Sequence, residues 1–331
     1  MANGSTAPRD IVVVGGSAGS LEPLKTLVSQ LPGNLAASLL VVVHIPSDGA
    51  SILPEILKSA GQLPALHPAD GQRIEPGVIY IAPSDHHLLV EDGHVKVTRG
   101  PRENRHRPAI DPLFRTAARS YGSRVVGIVL SGLLDDGAAG LMAIRMRGGL
   151  GVVQDPVEAS YPEMPAHALQ YSGADCVLRV NEMANLLVNV SQEQPRGKSS
   201  RVEGSVPNRN VEDRADLEGS GNKEKEGTPS PFACPECHGV LWEVKEGELL
   251  RFRCRVGHAY TANALRAAMS EATEDALWAA MRALEEKAAL MRRLAPRSAT
   301  RLAGAYEEEA QAYDKHAESI RGILGESQKA A

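Results

Sequence analysis

Residues 10–24 read DIVVVGGSAGSLEPL, and the order of residue types in this stretch decides the fold. Ile11–Val14 is a β-branched run without polar alternation, the pattern of a strand covered on both faces. Gly15 and Gly16 then break it, and Leu21, Leu24, Leu27 and Leu31 recur at helical spacing after Ser20. Strand, glycine-rich turn and helix therefore follow within one short segment. Further apolar runs at Leu39–Val43, Val78–Ile81, Val125–Leu130 and Gly151–Gln154 alternate with helical patterns such as Leu113, Ala117 and Ala118. The expected class is α/β, doubly wound, with a mainly parallel sheet over residues 10–190. His87–Thr98 alternates around Asp92-Gly93 and predicts a hairpin attached to that sheet.

The bulk numbers narrow the function classes. With 331 residues, 43% hydrophobic and 23% charged, the chain has room for a sizeable core and a second unit. A formal charge of −5 gives no global field for phosphate backbones, so nucleic acid is not the expected partner. The opening MANGSTAPRD lacks a basic and apolar leader, and no apolar run is long enough to span a bilayer. A cytoplasmic protein without membrane insertion is expected. Cys176 stands alone whereas Cys234, Cys237 and Cys254 cluster, which fits a metal site in a reducing compartment better than a disulfide framework.

Residues 191–231 are rich in Gly, Ser, Pro and charge and carry no aromatic until Phe232, the composition of a flexible linker. Residues 232–262 form a Cys/His unit and residues 263–325 two helical stretches. Leu277, Met281, Leu284, Ala288 and Met291, and then Leu302, Tyr306, Tyr313, Ala317, Ile320 and Leu324, form apolar stripes that a helical hairpin or short dimerising coil would bury.

Three strand ends carry the residues able to do chemistry. Ser17 sits at the first strand-to-helix turn, where following N–H groups and a helix N-terminus meet a developing oxyanion. A phosphate-binding turn is the commoner use of such a loop, but neither G-x-G-x-x-G nor a P-loop spacing is present. His44 follows the second strand directly. Ser131–Gly140, SGLLDDGAAG, follows the strand Val125–Leu130, and a carboxylate there could orient one imidazole nitrogen while the other accepts the serine proton. Asp135 or Asp136 could equally be the cap of the next helix.

These segments, with YIAPSDHHL (80–88), RPAIDPLFRTAA (107–118) and VVQDPVEASYPEMPAHAL (152–169), resemble the catalytic domain of the CheB-type chemotaxis methylesterases. The resemblance implies Ser17 as nucleophile, His44 as general base and Asp136 as the group orienting it. It places the oxyanion near the N–H of Leu133, which the residue reading pairs with the N–H of Ala18, and puts Met164 and Pro165 in a turn close to the site. It further implies hydrolysis of glutamate methyl esters on the methylated cytoplasmic region of chemoreceptors or similar signalling proteins, with glutamine deamidation chemically adjacent and no cofactor for catalysis. Ser20 stands where the family's loop usually has a second glycine. The family's usual receiver domain has no counterpart in the nine residues before Asp10, so switching by such a domain is not expected.

Arg99, Arg102, Arg105 and Arg107 cluster in VTRGPRENRHR, either an ordinary solvated loop or one that steers acidic receptor helices. In the tail, Cys234-Pro-Glu-Cys237 and Cys254-Arg-Val-Gly-His258 flank a small hairpin, Val240–Phe252 around Gly247. Three thiolates and one imidazole complete a closed zinc site, with His238 as a spare ligand. Such zinc would be structural, in a unit that the linker need not place near Ser17. A rival reading makes the chain a non-catalytic signalling scaffold that works through the zinc-stapled tail, and a third assigns nucleotide binding to the Gly15–Ser20 loop.

Overall fold

In a computed structural model of the chain, residues 8–45, 51–192, 227–246 and 249–330 are described. Most of the expected linker and the turn at Gly247 lie outside them. The sheet is seven-stranded and parallel throughout. Its strands are β1 (Ile11–Gly16), β2 (Ser38–Val43), β3 (Ala65–Leu66), β4 (Ile79–Ile81), β7 (Val125–Val129), β8 (Leu150–Gln154) and β9 (Cys176–Leu178), in the order β3-β4-β2-β1-β7-β8-β9. Strand pleating explains the uninterrupted apolar runs. Val12 and Val14 face one core with α1 (Leu21–Ser29), α2 (Leu53–Ala60) and α6 (Val180–Gln192). Ile11 and Val13 face the other with α3 (Ile110–Tyr121), α4 (Ala138–Met146) and α5 (Glu163–Ser172).

The expected hairpin is present as β5 (His87–Glu91) and β6 (His94–Thr98), with Asp92 and Gly93 both at positive φ in its turn. It forms its own two-stranded sheet and lies over the second core through Leu88, Val90 and Val95. The amide of Val90 donates to Thr116 Oγ1 on α3 at 3.1 Å.

The strand order turns around between β1 and β7. Chain direction runs outward from β1 through β2 to β4, then returns beneath the sheet along α3 to β7. The loops leaving β1, β2 and β7 consequently share the carboxyl edge at the switch point, where open α/β sheets place their ligands. Backbone bonds lock the three together: Leu130 N–H to Gly15 O at 2.8 Å, Ser17 N–H to Ser131 O at 3.0 Å, and His44 N–H to Gly16 O at 3.1 Å.

The Cys/His unit is a four-stranded antiparallel ribbon, β10 (Thr228–Ala233), β11 (Val240–Glu246), β12 (Leu249–Cys254) and β13 (Ala259–Thr261). Sequence leaves this unit free to stand apart on its linker, and the structure differs. Ribbon and sheet domain belong to one compact unit ending at Leu265. The edge strand β13 finds a backbone partner in the loop before α3: Asn104 N–H donates to Ala259 O at 2.8 Å and Ala259 N–H to Arg102 O at 3.3 Å. An exposed strand edge seeks such pairing.

The second unit spans Arg266–Ala331 and contains most of α7 (Ala262–Leu294) and α8 (Thr300–Ala330). Leu277, Met281 and Leu284 pack with Ala317, Ile320 and Leu324. Arg321 pairs with Glu285, and Arg292 pairs with Asp314. Those pairings run in opposite directions along the two helices, so the helices form an antiparallel hairpin. No described helix is long and apolar enough to cross a membrane.

Candidate active site

Asp136 is nearly inaccessible and accepts four hydrogen bonds. Its Oδ2 takes His44 Nε2 at 2.7 Å and the Ile110 amide at 2.7 Å; its Oδ1 takes Asn104 Nδ2 at 3.0 Å and the Asp111 amide at 3.2 Å. Burial opposes ionisation, but the His44 bond and charge, with the Ile110 and Asn104 donors, outweigh it and hold the carboxyl well below the usual range. A carboxylate can only accept, so His44 Nε2 is the donor in this bond. The His44 Nδ1 is buried with no hydrogen-bond partner. No hydrogen bond joins it to Ser17, which is half-buried on the adjoining loop.

The aspartates are thereby separated in role. Asp135 turns away, accepting Thr261 Oγ1 at 2.6 Å and Asn263 Nδ2 at 3.1 Å, and burial pushes its carboxyl up. Neither aspartate caps α4, whose N-cap is Gly137. The cap comes from Asp111 on α3, whose Oδ1 accepts the amides of Gly137 and Gly140 at 3.0 and 2.6 Å. Burial, with Asp136 and Glu103 nearby, raises Asp111 well above the carboxylate range. Of these two buried carboxyls it is Asp136 that stays ionised.

The amides of Ser131, Gly132 and Leu134 are engaged by Gln154 Oε1, Tyr161 O and Glu163 Oε2. Those of Ala18 and Leu133 have no partner among the described residues. Gly132 is needed for contact: a Cβ there would overlap Met164 Sδ and come within 2.9 Å of the Ser17 Cβ. Met164 is buried on the first turn of α5 and faces Gly132, beside the Ser17 loop.

Several residues here escape sequence reasoning. Glu103, Asn104, Arg105 and His106 form a tight turn with Asn104 at φ 50° and Arg105 at φ 74°. His106 stacks on His44 with centroids 3.6 Å apart and planes 12° from parallel. Burial, then the neighbouring His44, lowers its pKa to about 3, so the stacked ring is neutral. Glu103 is buried against Arg115, at 2.6 and 2.8 Å, and against Arg251 of the ribbon. Burial would raise its pKa, yet Arg115 and Arg251 bring it to about 2. Two arginines of the arginine-rich loop are held by one carboxylate: Arg107 is bound by Asp85 and the Gly100 carbonyl, and Arg99 also pairs with Asp85. The only sequence hint was the density of charge beside Asn104 and His106.

Cys234, Cys237, Cys254 and His258 bring one ligand atom each to within 4.8 Å of all the others. Cys237 Sγ lies 3.5 Å from Cys254 Sγ, and His258 Nδ1 lies 3.7 and 3.5 Å from the sulfurs of Cys234 and Cys254. Tetrahedral zinc with Zn–S near 2.3 Å gives sulfur edges of roughly 3.8 Å, so the cluster fits that ion. His258 Nε2 meets Glu236 at 3.3 Å, the outer carboxylate that fixes a ligating imidazole. His238, at φ 57° in the knuckle, stands outside the cluster.

The family model of the CheB methylesterase matches residues 12–187. A Leptospira interrogans relative is 34% identical over 184 residues, 55% of this chain and 95% of that protein. A Xanthomonas oryzae pv. oryzae relative, described as protein-glutamate methylesterase/protein-glutamine glutaminase 1, is 36% identical over 186 residues, 55% of this chain; the match spans about half, 53%, of that relative. Among solved structures, the Thermotoga maritima CheB methylesterase catalytic domain superposes with a TM-score of 0.52 at 30% identity, over 54% of this chain and 97% of that one. Family model, sequence relatives and solved structure agree: the chain belongs to the CheB methylesterase family.

Proposed function

We propose that the chain is a cytoplasmic serine hydrolase that removes methyl esters from glutamate side chains of chemoreceptor-type proteins, releasing methanol. The observation that carries this reading is Asp136 bound to His44 Nε2, with Nδ1 left without a partner and the His44 backbone bonded to Gly16, the residue before Ser17. Ser17 Oγ attacks the γ-carbonyl while Nδ1 takes its proton, and the cation formed is stabilised by Asp136. The Ala18 and Leu133 amides receive the oxyanion. His44 then protonates the departing methoxide, and water repeats the sequence to free glutamate and Ser17.

Nothing in these steps calls for a metal. The same acyl-enzyme forms from a glutamine side chain with loss of ammonia, so deamidation belongs to the proposal; both relatives described above bear both activities in their names. The exposed side chains of Leu133 and Tyr161 border the nucleophile loop and offer apolar contact to a receptor helix. The test is to incubate the full chain with methylated and with glutamine-bearing receptor fragments and to assay methanol and ammonia. Methanol release is expected; its absence from every methylated fragment, with the protein folded, would refute the reading.

A further inference from the structure

We infer that the four-stranded ribbon is a metal-dependent brace for the catalytic carboxylate: zinc held by Cys234, Cys237, Cys254 and His258 keeps the ribbon folded, and the docked ribbon fixes Asn104, which orients Asp136. This rests on the esterase reading above. Asn104 is the joint. Its two amide protons go to Asp136 Oδ1 and Asp111 Oδ2, both at 3.0 Å, while its Oδ1 accepts the Thr261 amide at 2.9 Å and its own N–H meets Ala259 O. Two of these four hydrogen bonds, one to the side chain and one to the backbone of Asn104, therefore come from the ribbon. The turn that carries it places two consecutive non-glycine residues at positive φ, a conformation that persists only where surroundings hold it.

The ribbon and the start of α7 reach the site at two more points, one on that turn and one on the loop of Asp135. Arg251 enters the buried ion cluster of Glu103, and Thr261 with Asn263 closes on Asp135, the residue next to Asp136. The far end of the turn is His106, stacked on His44. No ribbon side chain hydrogen-bonds Ser17 or His44 among the described residues, so the brace acts on triad orientation and leaves ester binding alone. Metal enters because the ribbon is small. Its buried apolar side chains, chiefly Leu241, Leu249, Phe252 and Tyr260, are too few to fold so short a segment unaided, whereas a closed thiolate site supplies the missing free energy.

The test uses the full chain with one equivalent of zinc, a chelated sample, and the Arg251→Met and Arg251→Lys variants with zinc bound. Each is assayed for kcat and KM on a methylated receptor fragment, and for the downfield proton resonance of His44 Nε2–H, identified by its loss in His44→Gln. Chelation is expected to lower kcat about tenfold, with KM changed less than about twofold and the resonance shifted or broadened, all restored by zinc. Arg251→Met should do the same while keeping its zinc, and Arg251→Lys should recover part of the loss. Unchanged kcat and resonance on chelation would overturn the metal's role. An unchanged resonance in zinc-loaded Arg251→Met would overturn the brace. If intact protein releases no methanol, the esterase reading fails by itself, and the resonance still decides the brace.

Discussion

Asp136 owes its place in the site to four donors, and single substitutions should separate it from its neighbour Asp135. Asp136→Asn removes the acceptor that fixes the His44 tautomer, and turnover should fall by about three to four orders of magnitude. Asp135→Asn keeps an acceptor toward Thr261 and should lower turnover by less than about tenfold. A larger loss at Asp135, measured as kcat on the same ester, would contradict the assignment. Gly132→Ala tests the packing behind Ser17. The new methyl collides with Met164 and the Ser17 Cβ, so destabilisation of about 1–3 kcal/mol in a denaturant titration and a fall in kcat of about a hundredfold are expected.

At the scale of elements, the ion cluster that joins α3, the Asn104 turn and β12 predicts an acid response. Glu103 is depressed from 4.5 to about 2, so in the unfolded chain it takes up its proton first as pH falls. The stability it contributes is fully present above about pH 4.5 and is lost progressively as pH drops through the folded value near 2. Ribbon amides should accordingly gain hydrogen-exchange rate in that acid window, and Glu103→Gln should flatten the change while costing about 3 kcal/mol at neutral pH. An unaltered acid profile in Glu103→Gln would remove Glu103 from the account. The elements themselves were largely legible in the sequence. Buried parallel strands leave continuous Val and Ile runs, Asp92-Gly93 marks its hairpin, and Ser17, His44 and Asp136 each follow a strand end. Strands β3 and β9, with two and three residues, are too short to carry a period. The docking of the ribbon was hidden for a different reason. Backbone pairing at Ala259 and a buried Glu103–Arg251 contact are long-range events that local patterning does not encode, and a polar linker composition argues for independence.

Taken as a whole molecule, the chain divides at Leu265, so the consequences of truncation differ on either side. Removing residues 266–331 should leave hydrolysis of a small ester within about twofold of the full chain. Removing residues 227–331 should lower kcat about tenfold, because the Asn104 turn then loses Thr261, Ala259 and Arg251 together. Equal rates for the two truncated forms would show that the ribbon is a passenger. The α7–α8 hairpin, bearing its own apolar seam and ion pairs, contributes no residue to the steps proposed for Ser17. Everything in the functional account depends on one nucleophile at the switch point, and methanol release from a methylated receptor fragment by Ser17→Ala beside the unaltered chain tests it most directly. The account predicts loss of about four orders of magnitude or more in a folded, zinc-bound protein, with Ser17→Ala/His44→Ala hardly slower than Ser17→Ala; methanol release by folded Ser17→Ala at the full rate would contradict it.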